Sequence, residues 1–550
     1  MAGVDLRKLS TGRAAQNAPR GSFTFNGQYS GYSAADFLTG YAVSVITPIA
    51  QFKGSVSEWR DGFFVQDNWQ ATKRLTLLYG LRYELPTVPY SLNGYARIIN
   101  RDGTALIPAT NATTGKDFTP APGFKFIGPN HANWAPRFGL AYRATDKIVI
   151  RAGGGIFYNP NHLNSFTLAT GNYPLATSFS YSGNTTNPAN LNFSNPTGGQ
   201  SSTVCVPGNP ACYTSVFTDN YYLPTPRLYQ WNLDTGVELW QNAAFELQYL
   251  GSRGLFFDRS FYPNQPLPGA GSINARRPNQ LFGQVRQIQN DSFSTYHSLT
   301  AILGQRLTHG FDMNLGYTLS HTLDSSTDAN GGGTAMDQSN LKRDYGDSSW
   351  DIRSRFVGTL SYTMPTIAGI NRVARAAIGG WQANAIVTLQ TGMPFNIGIS
   401  SDRANAGNLG TQRPDGIRIG TNNCSRSTVI NGTGASCINA AAFGLPALYT
   451  YGNLHRNDQH GPGFINTNLS LFKNFPVHEN VTVQFRMEAF DVFNHANPGN
   501  PNATLPASFD PAAPNYGISG SNFGTITTVQ NASQNGGGQR LLQLAGKINF

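Results

Sequence analysis

The sequence is poor in charge. Asp, Glu, Lys and Arg make up 12% of its 550 residues, about half of what a water-facing surface ordinarily carries. No run of about 18 apolar residues occurs, which excludes a membrane-crossing helix, and only 39% of the chain is hydrophobic. There are four cysteines, none in a C-x-x-C or zinc-ligand spacing, which argues against a metal or thiol redox centre. Walker sequences, nucleophile elbows and H-E-x-x-H are also missing, so neither catalysis nor a cofactor or metal site is expected. The net charge is +10, but the basic residues are spread singly and leave no footprint for nucleic acid. Net charge alone is compatible with a basic rim facing anionic lipid or an anionic solute.

Glycine (60), Phe (34) and Tyr (24) are plentiful, as suits tight turns and aromatic girdles. More telling is their order. In "RLTLLYGLRYEL" (74–85), Leu75, Leu77, Tyr79, Leu81, Tyr83 and Leu85 alternate with Thr76, Leu78, Gly80, Arg82 and Glu84. That period of two predicts a strand. Eleven residues span roughly 34 Å, and a strand tilted by about 40° would rise roughly 26 Å, close to the apolar band of an outer-membrane barrel. The pattern recurs. Val481, Val483, Phe485, Met487 and Ala489 form one such face, and Phe311, Met313, Leu315, Tyr317 and Leu319 another. So do Ile148, Ile150, Ala152, Ile156 and Tyr158; Trp231, Leu233, Val237 and Leu239; and Phe245, Leu247 and Tyr249. About 14–16 segments of this kind are expected. The fold class that follows is all-β, a transmembrane antiparallel barrel or a part of a larger one.

Short turns such as "ATDK" (144–147) and "WQNA" (240–243) alternate with long connections at about 86–132, 159–227, 252–291, 322–351 and 401–463. Short turns on one rim and long loops on the other are the habit of outer-membrane barrels. The cysteines fall in the loops as two local pairs, Cys205 with Cys212 and Cys424 with Cys437, read as loop-stapling disulfides of an oxidising compartment. "STDANGGGTAMD" (326–337) loosely echoes a calcium loop through Asp328, Asn330, Gly331 and Asp337, but starts on Ser326 and lacks the closing Glu, so a polar loop is expected. His455 and His460 lie in the glycine-rich "YGNLHRNDQHGPG" and are expected in a hydrated loop. The first 20 residues have no export-signal core and are read as a disordered or truncated segment, with residues 21–550 as the barrel. At the other end, "LLQLAGKINF" puts Leu542, Leu544, Gly546, Ile548 and Phe550 on one face.

Several stretches, in order, resemble the Oar-like branch of TonB-dependent outer-membrane receptors. They are "RDGFFVQDNWQATKRLTLLYGLRYE" (60–84), "NWAPRFGLAYRATDKIVIRAGGGIFYN" (133–159), "LYQWNLDTGVELWQNAAFELQYLGSRG" (228–254), "STYHSLTAILGQRLTHGFDMNLGYTLSHTLD" (294–324) and "NLSLFKNFPVHENVTVQFRMEAFDVFNHANPGNP" (468–501). The terminal strand ending on Phe550 is similar to the family's recognition signal for the barrel-assembly machinery. The resemblance implies a 22-stranded barrel around an amino-terminal plug, often preceded by a small sandwich domain, which imports a scarce solute with energy relayed through TonB. No plug or TonB-contacting segment is recognisable, so the chain matches the carboxy-terminal two-thirds of such a barrel. TonB is then a partner only if a longer parent supplies the plug.

These readings place the chain in the outer membrane of a Gram-negative-type bacterium, with lipid and the assembly machinery as partners. Solute contacts are expected in loops 159–227 and 401–463, where Tyr173, Tyr213, Tyr221 and Tyr222 could stack on a sugar or siderophore ring; rim aromatics also commonly anchor at the lipid interface. A surface or adhesive barrel that transports nothing is the alternative function. A secreted β-sandwich or propeller is the soluble one.

Overall fold

The computed structural model describes residues 1–14, 20–51, 53–107, 120–173, 175–183, 190–200, 207–208, 214–326, 333–365, 369, 371, 378–407, 410–416, 437–478, 481–530 and 539–550. Fourteen long strands form one antiparallel wall. In chain order they are β1 Ala2–Ala14, β2 Lys53–Thr72, β3 Leu75–Pro86, β4 Trp134–Arg143 and β5 Ile148–Tyr158. Next come β6 Arg227–Trp240, β7 Ala243–Phe261, β8 Val285–Thr308, β9 Phe311–Asp324 and β10 Ser354–Thr363. The last are β11 Trp381–Gln390, β12 Phe464–His478, β13 Val481–Phe490 and β14 Leu541–Asn549. Each pairs with the next in sequence. Three short strands, Tyr90–Ser91, Val216–Asp219 and Gly346–Asp347, bring the sheet to 17. Among the described residues no paired register joins β1 to β14, and no helix is long and apolar enough to cross a membrane.

The register carries the alternation from strand to strand. Phe63 pairs with Tyr83 and Tyr83 with Trp134; Asp67 pairs with Tyr79 and Tyr79 with Phe138. Partners directly opposite share a face, so the odd positions of β3 join one broad apolar surface with exposed Phe63, Val65, Trp69, Trp134 and Phe138. The terminal strand continues it, Leu542 opposite Ala489, Leu544 opposite Met487 and Ile548 opposite Val483. On the other face, Arg82 pairs ionically with Glu84 and lies 3.3 Å from Asp5 of β1.

Two sequence expectations change. Within the stretch 1–20, expected to be disordered or truncated, Ala2–Ala14 are β1, in register with β2 along their whole length. Only Val4 and Leu6 mark its apolar face before Lys8 interrupts it, so the strand is held by its backbone ladder more than by its pattern. Long connections also occur at 15–52 and 491–540, beyond the expected ones, and 364–380 is a longer link on the rim of short turns.

The buried apolar side chains lie mostly in the loops, not in the wall. Phe395, Ile397, Ile438, Phe443, Leu505, Phe509 and Phe523 make one core from 391–463 and 491–540. Ala96, Ile98, Phe126, Leu163, Phe166 and Leu223 make another, against Val56 at the end of β2. Most of a single-layer wall has no second layer to pack on, whereas long loops can fold on each other and bury their own cores. Ion pairs tie neighbouring loops together. Fully buried Arg413 meets Asp344 at 2.7 Å and donates to the carbonyls of Leu454 (2.9 Å) and Arg343 (2.8 Å). Arg456 lies 2.6 Å from Asp324.

Candidate functional site

Beneath the loops that follow β3, β5 and β7 is a cavity of about 600 Å³, within the range of small-molecule sites. Its walls come from distant parts of the chain. The hairpin of Ile98–Ile99 and Leu106–Ile107 supplies one side and carries Arg101 in its turn. The short strand Val216–Asp219 supplies another, lying parallel to the start of β8. Asn264 and Asn279 close a third. Asn264 is fixed by donating to the carbonyls of Asn279, Phe282 and Gly283.

The polar groups are arranged around an aromatic pair. Tyr221 and Tyr222 meet edge to face, centroids 5.1 Å apart. The Arg101 guanidinium lies 4.5 Å from the Tyr221 ring and 5.0 Å from the Tyr222 ring, and donates to the Tyr222 hydroxyl at 2.5 Å. Lys125 adds a second cation to the lining. Asp102 is held below the usual carboxylate range by hydrogen bonds from the Thr104 hydroxyl and backbone N–H. Burial pushes Asp219 up to about 7, and its Oδ1 has no hydrogen-bond partner. Behind the wall, burial lowers Arg97 to about 10 while it donates to the carbonyls of Tyr173 and Leu106. A planar face, two cations, a carboxyl poised near neutrality and several amides suit a ligand that combines rings with hydroxyl or acidic groups.

Of the aromatics expected to meet a solute, Tyr221 and Tyr222 line the cavity. Tyr173 does not; it packs on the neighbouring cluster of Leu106, Val216, Phe282 and Val285. Tyr213, Cys205, Cys212 and Cys424 lie outside the described residues. Cys437 is disulfide-bonded and buried in the loop core, and its partner is outside the described residues. Of the calcium-like stretch, Asp328, Asn330 and Gly331 lie outside them too, while Asp337 accepts from Ser339 and sits 3.5 Å from Arg343. Arg101, Lys125 and Asp219 went unmarked in the sequence, because no local spacing links a hairpin turn to a short strand more than 100 residues away.

A family model described as an outer membrane beta barrel domain matches residues 1–543. The chain belongs to that family. As a member it is a barrel of the Gram-negative outer membrane. No protein of curated function matches it. Solved structures with a similar wall include the outer membrane transporter YddB of Escherichia coli (9% identity, TM-score 0.43, 100% of this chain and 54% of that one). The siderophore receptor PiuA of Acinetobacter baumannii is another (10%, 0.44, 100% and 52%). The FrpB iron transporter of Neisseria meningitidis is a third (10%, 0.41, 100% and 55%). The chain spans about half the length of each.

Proposed function

We propose that this chain is barrel wall and loops of a TonB-dependent transporter of the Oar-like branch, and that a longer parent supplies the plug and the remaining strands. The supporting observation for the longer parent is the pair of edges at β1 and β14 that, among the described residues, nothing pairs. In hydrocarbon each unsatisfied backbone group costs several kcal/mol, which is why spanning sheets close. Twenty-two strands are usual for plugged transporters of the outer membrane, so the fourteen here need others between those edges. Sequencing the DNA upstream of the Met1 codon tests this. An open frame running into a plug supports it; stop codons directly upstream sink it.

The cavity carries the uptake reading: it receives the solute before passage, through Arg101, Tyr221 and Tyr222. The test is binding of maltodextrins and ferric catecholates to the refolded chain, followed by fluorescence. Tyr222→Ala and Arg101→Ala should each weaken the ligand that binds by about tenfold, equivalent to about 1.4 kcal/mol. Equal binding by wild type and both variants would refute the cavity as the solute site and favour a surface barrel that binds through other loops.

A further inference from the structure

A second constellation lies away from the cavity, where the rim of β9 meets two loops. His321 is the last residue but three of β9, two positions beyond exposed Leu319 on the same face. Its Nε2 is 2.9 Å from Asp347 Oδ1. The other oxygen of Asp347 is 3.3 Å from Nε2 of His460, which arrives on the 391–463 loop. Asp351 completes the group: one ligand atom from each of His321, Asp347 and Asp351 lies within 4.8 Å of the others.

These side chains are held in place by the backbone around them. Asp347 pairs with Leu323 of β9, and its carbonyl accepts from the Asn457 amide at 2.7 Å. Asp351 is fully buried, and its Oδ1 accepts the Thr322 N–H at 2.6 Å. Its Oδ2 is buried without a hydrogen-bond donor; the Arg353 Nε is 2.9 Å away but out of hydrogen-bonding alignment. Arg353 also stands 3.6 Å from Asp347 and is two-fifths exposed, so its guanidinium can swing into solvent.

We propose that His321, Asp347, Asp351 and His460 bind one divalent transition-metal cation at the extracellular rim, and that Arg353 occupies the position of that charge when the metal is absent. Two imidazoles with two carboxylates are a donor set suited to zinc, nickel or iron. Ligand atoms around tetrahedral zinc sit about 2.0–2.2 Å from the ion; His321, Asp347 and Asp351 already stand as one group, and His460, 3.3 Å from Asp347, joins it from the 391–463 loop. A cation placed between the imidazoles and Asp347 accounts for two histidines converging on one carboxylate. Binding fastens the 391–463 loop to β9.

Zinc itself is the probe. Zn²⁺ is titrated into the full chain folded in detergent, with bound metal counted by mass spectrometry after desalting. Wild type should retain one equivalent. His321→Ala and His460→Ala, both partly exposed and tolerant sites, should each lower affinity by about tenfold or more. Arg353→Met should raise it, since it removes the competing charge. Asp351→Asn should lose the metal while keeping the wild-type pattern of limited proteolysis. Zinc retention unchanged in the His321→Ala/His460→Ala double variant overturns the site, leaving an ion-pair cluster. Weaker binding in Arg353→Met overturns the role given to the arginine.

Discussion

Asp219 and Arg413 are both buried ionisable residues outside the fourteen long strands, stabilised to different degrees. Arg413 has a carboxylate and two carbonyls around its guanidinium, so its charge is compensated where it lies. Asp219 has no such partner at Oδ1, and burial raises its folded-state pKa to about 7 from the usual 3.8. Between those values the folded chain keeps a proton that the unfolded chain has released. Stability from this group is therefore greatest below about pH 4, falls as pH rises towards 7, and levels off above. Asp219→Asn should remove that slope. Limited proteolysis of the loops at pH 5 and pH 8 reads it: wild type should be cut faster at pH 8, by a larger ratio than the variant. The same ratio in both would rule out Asp219 as the source.

At the scale of the strand, β3 tests which face meets lipid. Leu81 sits in register with exposed Val65, while Arg82 carries an ion pair with Glu84 on the opposite face. Cysteines placed singly at the two positions, in protein reconstituted into liposomes, should differ in reactivity. A water-soluble maleimide should label position 82 and spare position 81. Preferential labelling at 81 would invert the wall. The strands themselves were legible because alternation is a property of residues i and i+2, written out locally in each segment. β1 was less so, since its pattern stops after Val4 and Leu6. The connection 491–540 was not, since its core contributors Leu505, Phe509 and Phe523 are spaced without a period.

For the whole molecule the open question is closure. If further strands stand between β1 and β14, those two strands are far apart in the native membrane. Cysteines at Val4 and Leu544 should then form no disulfide within one chain, because bridged residues need Cα atoms within about 7 Å. Oxidation in isolated outer membranes, read by gel shift under non-reducing conditions, distinguishes the cases. A ready intrachain bridge would mean that fourteen strands close on themselves and would end the longer-parent reading.

The alternation of β3, β9 and β13, the polar loops between hairpins and the scarcity of charge together determined a membrane barrel, because each follows from local chemistry against lipid or water. Tertiary structure alone decided the sites. Arg101 reaches Tyr222 across 121 positions, and His460 reaches Asp347 from a different loop. In the sequence His460 pairs most naturally with His455, five residues away in a glycine-rich stretch. Long loops meet according to which strands they hang from and which apolar residues they bury together, and neither is encoded in the spacing of the residues that finally touch.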